Sequence, residues 1–406
     1  MSVVIVGTLD TKSEEIGFAR DVIEDQGLDV HVVDAGVVGE PEFEPDTSAA
    51  EVAAAAGTDL ETLREEAERG DAVTAMGEGA AAVVRELHDE GDLDGVLGLG
   101  GSGNTSIATA AMRALPYGVP KLMVSTVASG DVEPYVETRD IAMLYSVADV
   151  EGLNQLTRRI ISNAALAMVG MVENEPDVET EEKPTVGITM FGVTTPGVQA
   201  AREHLEAMGY ETIVFHATGT GGRAMENLIE QGVIDAVLDV TTTEWADELV
   251  GGVLNAGPER LDAAAETGTP QVVSVGALDM VNFGPEDSVP EEFRDRNLHV
   301  HNPQVTLMRT TPEECAELGE IIAEKLNAAT GPTALALPLD GVSMLSVEGE
   351  DFYAPEADDA LFEALREHLD DDVELVEVEA DINDDRFART IAETLDEYVG
   401  GGDSAP

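Results

Sequence analysis

The chain of 406 residues has one cysteine, Cys315, set in the helical context Thr311-Pro-Glu-Glu-Cys-Ala-Glu-Leu. An intrachain disulfide is therefore excluded, as is any site built from several thiolates, zinc fingers and iron–sulfur clusters included. Positive charge is scarce: 21 Lys plus Arg stand against 83 Asp plus Glu, a formal charge of −62, and the lysines are Lys12, Lys121, Lys183 and Lys325 alone. Such a polyanion repels phosphodiester backbones and anionic lipid heads, because binding either needs Lys and Arg to displace counterions. Neither nucleic acid nor membrane is an expected partner. No apolar run approaches the roughly 18 residues of a membrane span. The start, Met1-Ser-Val-Val-Ile-Val-Gly-Thr-Leu-Asp, lacks a basic segment and reads as a buried strand rather than a signal peptide, which points to the cytoplasm.

What is present is enough apolar content, 43%, to build full cores, over a length that suits two or three domains. The acids are spread along most of the chain, as on the salt-adapted surface of a protein from a salt-accumulating host. Self-repulsion at this charge strains a compact fold at low ionic strength, and molar salt, with a Debye length of about 3 Å, removes it.

Short β-type apolar runs alternate with amphipathic helical stretches, the pattern of an α/β protein with mostly parallel sheets. Strands are expected at Val3–Val6, Val30–Asp34, Gly95–Leu99, Lys121–Ser125 and Ile141–Tyr145, with helices at Ser13–Gln26, Asp59–Arg69, Ala72–Asp89, Thr105–Ala114 and Leu153–Met171. Residues 173–184, acidic and carrying Pro176 and Pro184, read as a linker. The pattern then restarts, with strands at Val186–Met190, Thr212–His216, Ala236–Val240, Gln271–Val275, Thr306–Met308, Ala334–Leu337 and Glu374–Val378. Two Rossmann-like, doubly wound domains follow, at 1–172 and 185–400. At a constant offset of 182, Val4, Ala19, Arg20, Gly27 and Ala35 match Val186, Ala201, Arg202, Gly209 and Ala217, a weak sign that the halves are built alike.

Where acids are missing is informative. They make up 83 of 406 residues, yet the 36 residues from Gly95 to Gly130 contain none. This segment holds Gly98-Leu-Gly-Gly-Ser-Gly-Asn-Thr-Ser106 between an expected strand and helix, and Ser125-Thr-Val-Ala-Ser-Gly130 after the next strand. Glycines let backbone N–H groups approach a phosphate, the helix amino terminus adds about half a positive charge, and hydroxyls complete the cradle. Gly100, Gly101, Ser102, Gly103, Asn104 and Thr105, with Ser125, Thr126, Ser129 and Gly130, are thus candidates for an anion pocket, with Arg113 or Lys121 as distal charges. The spacing of Gly98, Gly100 and Gly103 matches a dinucleotide fingerprint, but no acid follows about 20 positions on to hold a ribose, and Asn104 stands where a Walker A loop needs lysine. Gly7-Thr-Leu-Asp-Thr-Lys-Ser13 offers a second candidate loop: Thr8 and Thr11 for phosphate or ribose, Asp10 for Mg²⁺ or an adenosine hydroxyl, and Lys12 for charge. Ser13 reads as a helix cap, and Asp34 stands where a ribose-binding acid would lie.

Smaller acid-free stretches occur at Lys183–Arg202, Thr212–Met225 and Asn297–Pro312. The second contains His216-Ala-Thr-Gly-Thr-Gly-Gly-Arg223, in which His216 is a candidate general acid or base and Arg223 a holder of an anionic substrate; His301 is an alternative acid or base. His299 and His301, two apart on a strand end, also have metal-ligand spacing, with Asp279, Glu244, Asp247 or His216 as further donors. The metal, if any, is left unassigned.

The motifs GTLDTK, GLGGSGNTS, STVASGD, FGVTTP, FHATGTGGRAME, TTTEWADE, GALDMVNFG and HNPQVTLMRT, in this order over nearly the whole chain, resemble the ATP-binding family named after a tomato mosaic virus resistance protein, an uncharacterised protein family. With its acidic surface the chain resembles a haloarchaeal-type member without the plant protein's extra barrel-like domain. The resemblance implies ATP bound by the amino-terminal domain, at Gly7–Lys12, Gly100–Ser106 and Ser125–Gly130. The expected function is then ATP binding, with Mg²⁺, and transfer or ligation onto a small anionic molecule in an interdomain cleft. The alternatives are a nonenzymatic nucleotide-responsive binding protein and a metal-dependent hydrolase using the second domain. A homo-oligomer is expected in either case.

Overall fold

Val3 to Val6 are completely buried although consecutive residues of a strand point to opposite faces, so both faces of the first strand are covered. That strand is the interior of a parallel sheet. The computed structural model describes residues 1–65, 67–174 and 183–400, and the chain divides into two units, Met1–Glu179 and Thr180–Pro406.

The first unit has five strands, β1 (Ser2–Gly7), β2 (Asp29–Asp34), β3 (Gly95–Gly100), β4 (Lys121–Ser125) and β5 (Ala142–Tyr145), ordered β2-β1-β3-β4-β5 and all parallel. Val3 and Ile5 share a core with the helices Leu9–Glu24 and Gln155–Glu173 through Ile16, Ala19, Ile161 and Met168. Val4 and Val6 face the opposite core, built with the helices Arg69–Glu90 and Ser102–Arg113 through Met76, Ala80, Ile107 and Met112. Gly98 makes the second packing possible: a Cβ there would sit 2.6 Å from the Cβ of Ala108 and from Sδ of Met123.

The second unit repeats the plan. Its parallel sheet contains β6 (Thr185–Met190), β7 (Glu211–His216), β8 (Ala236–Thr241) and β9 (Gln271–Gly276). A separate antiparallel sheet is made by β10 (Met280–Phe283), β11 (Leu298–Asn302) and β12 (Val305–Arg309), before β13 (Thr333–Pro338) and β14 (Glu374–Val378) return to the first. The orders are β14-β13-β9-β8-β6-β7 and β10-β12-β11. In both units the first parallel strand lies between the second and the third. The likeness reaches single residues: Gly27 and Gly209 both have positive φ, 93° and 105°, and Ala35 and Ala217 each donate their N–H at 2.8 Å to the last carbonyl of the unit's first strand, that of Gly7 and of Met190.

Several element expectations change. The first helix starts at Leu9, not Ser13, because the buried Asp34 carboxylate accepts the N–H of Leu9 at 2.9 Å and supplies from β2 the cap that Ser13 was expected to provide. Ser13 instead donates its hydroxyl to the Leu9 carbonyl at 2.5 Å. The stretch expected as one helix over Asp59–Arg69 holds a short helix, Leu60–Glu65, and only the first residue of the next, which begins at Arg69. Thr306–Met308 belongs to the antiparallel sheet, whose short partners escape a reading based on parallel-strand runs. Of the expected linker, residues 175–182 lie outside the described residues. No helix among the described residues is long and apolar enough to cross a membrane.

Candidate functional site

In the first unit the chain leaves β1 toward β2 on one side and leaves β3 toward β4 on the other. The loops above the carboxyl ends of β1 and β3 therefore diverge and leave a crevice. A cavity of about 790 Å³ occupies it. Its polar side is formed by Thr8, Asp10, Thr11 and Lys12 after β1 and by Gly101, Ser102, Gly103 and Asn104 after β3; its apolar side includes Val37, Val38, Leu63, Val73 and Ile107; Arg64, Arg69 and Asp149 also line it.

The turn after β3 is shaped for an anion. Gly100 has φ 154°, and a Cβ there would come within 2.9 Å of the Cβ of Asn104. Gly101 is the residue before the helix Ser102–Arg113, and no side chain caps that helix. The amide groups of its first turn are left for a ligand, with the helix dipole behind them. The Asn104 side chain is 6% exposed, and its Nδ2 donates to the Leu99 carbonyl at 2.6 Å, holding the turn against β3.

The remaining candidates of this unit divide into lining and scaffold. Thr8 bonds Thr11 through their hydroxyls at 2.9 Å within the lining. Asp10 lines the cavity too: its Oδ2 accepts the N–H groups of Val38 at 2.7 Å and Gly39 at 3.3 Å and so shapes the loop after β2, while its buried Oδ1 has no partner. Asp34 accepts from Leu9 and Gly36, both at 2.9 Å, and burial raises its pKa against the lowering effect of those amides. It ties two loops together rather than meeting a ribose. Gly7 is buried, and a Cβ on it would collide with Ile16. Thr105 and Ser125 are fully buried and joined at 2.7 Å, stitching the β3 turn to the β4 turn, and Thr126 donates its N–H to the Gly100 carbonyl at 3.3 Å. Ser129 and Gly130 are exposed and outside the cavity lining.

The two distal charges are placed elsewhere. Lys121 begins β4, at the opposite end of the sheet, with its buried amine on the Pro116 and Val119 carbonyls and on Asp140 at 2.7 Å. Arg113 closes its helix and bonds the Tyr135 carbonyl at 2.6 Å. The positive charge of the crevice comes instead from Lys12 and from two residues the sequence reading passed over, Arg64 and Arg69. Arg64 holds the Val37 carbonyl at 2.6 Å and that of Gly39 at 2.8 Å. Both arginines sit among acids in Leu63-Arg-Glu-Glu-Ala-Glu-Arg69, so a count of acid-free segments could not find them. Their spacing, five residues apart in a chain poor in basic residues, was the available signal.

In the second unit the glycine-rich turn His216–Arg223 already contains its anion. Glu244 Oε1 accepts the N–H groups of Gly219 at 2.7 Å and Gly222 at 3.1 Å at the start of the helix Thr220–Glu230. Glu244 is in turn bound by Arg260 Nε at 2.8 Å, and Arg260, 1% exposed, also forks onto Asp239 at 2.5 and 2.8 Å and reaches Glu226 at 3.1 Å. Burial raises the pKa of Glu244 and Glu226 against the pull of this guanidinium. The arrangement is a buried structural network, which the sequence did not announce.

His216 ends β7 exposed, its ring 5.7 Å from that of Phe191, and Arg223 lies in the helix that follows. His301 stands apart on β11, exposed, with its ring 6.5 Å from that of His299, whose Nδ1 is 2.7 Å from Asp351. The acids expected to join the histidines are engaged elsewhere. Asp279 accepts from Ser343 Oγ at 2.7 Å, and Asp247 accepts the N–H of Asn282 at 2.7 Å, its pKa pushed up to about 7 chiefly by burial. Among the described residues no group of three metal-ligating side chains assembles.

Fold and site together define a protein of two doubly wound α/β units whose first unit opens an anion-suited crevice at its strand reversal. The chain belongs to the uncharacterised protein family UPF0261: the family's N-terminal domain matches residues 1–177 and its C-terminal domain residues 183–399. It is 56% identical over 394 residues to a UPF0261 protein of Clostridium tetani, covering 97% of this chain and 98% of that one. It is also 43% identical to the ToMV resistance protein Tm-1 of Solanum lycopersicum, over 96% of this chain but 55% of the longer tomato protein. Among solved structures, a UDP-N-acetylglucosamine 2-epimerase from Rickettsia bellii aligns with 67% of this chain and 78% of its own at 12% identity and a TM-score of 0.23, too distant to carry an argument.

Proposed function

We propose that the first unit binds ATP in the crevice above β1 and β3, with Mg²⁺ as its companion ion. One observation carries the reading: an uncapped helix amino terminus and the cations Lys12, Arg64 and Arg69 converge on a single cavity of about 790 Å³ in a chain of charge −62. Backbone amides and cations so gathered suit a polyphosphate. The apolar side, with Val37, Val38, Leu63, Val73 and Ile107, suits a purine. Asp10, whose Oδ1 is unpartnered, and Asp149 are the carboxylates of the lining and the candidates to meet Mg²⁺. ATP would supply a transferable phosphoryl or adenylyl group, and in a transferase or ligase acting on a small anionic molecule His216, Arg223 and His301 are the candidates to handle the acceptor.

A nonenzymatic, nucleotide-responsive role is the second reading. It is favoured by the acids at the carboxyl ends of the second parallel sheet: Glu244, Asp247 and Asp279 serve Arg260, backbone amides and Ser343 rather than an open site. Calorimetry of ATP against NADH, with Mg²⁺ in molar KCl, tests the proposal. ATP binding with micromolar affinity, absent in Gly101→Asp, is expected; folded protein that ignores ATP sinks it. Steady ATP turnover with small carboxylic acids as acceptors separates the enzyme from the binding protein.

A further inference from the structure

From Leu153 to Val172 the chain runs 20 residues without an acid, where 83 acids in 406 residues lead one to expect about four. The stretch is the helix Gln155–Glu173, whose inner face, with Ile161, Ala164, Ala165 and Met168, is buried in the first unit's core. The outer face carries Leu156, 43% exposed, and Leu166, 46% exposed, around a shallow depression of about 1000 Å³. Leu156, Arg159, Asn163, Leu166, Gly170 and Glu173 succeed one another in steps of three and four residues, the spacing of a seam between packed helices. Gly170 decides what the seam is for. A Cβ on it meets nothing within 4 Å, so no packing inside the chain calls for glycine, although glycine within a helix costs about 1 kcal/mol against alanine. An approaching second backbone is what a glycine in a seam accommodates.

The seam complements itself end to end. Arg159 lies near its amino end and Glu173 at its carboxyl end, so two copies crossing antiparallel place each Arg159 over the other's Gly170 and within reach of its Glu173, with opposed helix dipoles. A chain carrying −62 pairs most readily where acids are sparse, and this face holds none from Leu153 to Val172. We propose that the outer face of Gln155–Glu173 is the contact through which two copies of this chain pair about a two-fold axis. This inference is independent of the nucleotide.

Sedimentation equilibrium of the full chain in molar KCl tests it. Wild type is expected to be a dimer, and Gly170→Leu and Leu166→Glu to weaken it at least tenfold. Gly170→Leu should melt no lower than wild type as a monomer, because it improves helix propensity. Asn163→Cys treated with a short bismaleimide should yield covalent dimer at concentrations where wild type, with Cys315 buried, yields none. A monomeric wild type overturns the proposal. So does a dimer indifferent to both substitutions and not linked through residue 163.

Discussion

Glu244 accepts the backbone N–H of Gly222 at 3.1 Å, which puts a carboxylate of the protein at the helix terminus where a bound anion would otherwise be held. A Cβ on Gly222 would collide with that carboxylate, so the glycine admits an internal partner rather than a ligand. The glycine-rich helix start of the first unit, at Ser102 after β3, has no such side-chain partner. The two glycine-rich turns look alike in sequence and differ in whether the protein fills them.

Arg260 neutralises the buried Asp239 and Glu244 and the partly buried Glu226, so its loss should be severe. Arg260→Met is expected to lower unfolding free energy by about 3–5 kcal/mol at neutral pH, as breaking a buried ion pair does. The deficit should shrink as pH falls and the stranded carboxylates take up protons. Urea unfolding at several pH values reads both; a loss below about 1 kcal/mol would refute the central role.

Gly101→Asp should remove the ligand without harming the fold. Gly101 has φ −83° and ψ −170°, open to any residue, and a Cβ there meets only Thr126 Oγ1, at 4.0 Å. Aspartate before a helix is a favourable cap, so the melting temperature should hold or rise while ATP binding disappears. Unfolding of the variant would contradict this account of the turn.

Lys12→Ala and Arg69→Ala should each weaken ATP about 10- to 100-fold, the range for a hydrogen bond to a charged group. Arg64→Ala should do the same and also loosen the loop after β2, whose Val37 and Gly39 carbonyls it holds. Lys121→Ala should leave ATP affinity unchanged. Titrations at fixed salt decide, and equal losses at all four positions would argue for a global effect.

Asp358 and Asp247 have pKa values pushed up to about 7, in each case first by burial; Arg309 pulls Asp358 down, while Asp279 pushes it up. A carboxyl whose pKa is higher folded than unfolded adds stability that is full below the unfolded value near 3.9 and is lost as pH rises through the folded one. Stability in constant high salt should therefore fall from about pH 4 to pH 7. Asp358→Asn should flatten part of that slope, and an unchanged slope would exclude Asp358 from it.

Stability should rise with KCl into the molar range, because the charge of −62 repels itself until the Debye length drops to about 3 Å. Melting temperatures that stay level from dilute buffer to about 1 M KCl, where the Debye length is about 3 Å, would contradict salt adaptation.

Much of the fold was legible because buried parallel strands are written as short apolar runs: β4 and β14 have the expected bounds, β2 and β3 differ by one residue at one end, and β1 by one at each end. The antiparallel strands β10 and β11 were missed, since four- and five-residue pairs beside an exposed loop carry too little pattern. Around the crevice, the acid-free stretch pointed to Gly101–Asn104 and the first loop to Thr8 and Lys12. It did not separate these from Thr105 and Ser125, whose hydroxyls face each other.

What the sequence by itself determined was local: strand and helix periodicity, the restart after residue 184, the near absence of positive charge, and which turns could bring backbone amides to an anion. Whether those amides were free was decided only by the tertiary structure, because the partner that occupies them lies far along the chain. Glu244 reaches Gly219 from 25 residues away, and Asp34 reaches Leu9 from the same separation. The convergence of Lys12, Arg64 and Arg69 on one cavity is likewise a property of strand order, since parallel strands gather at one edge loops that the sequence holds apart.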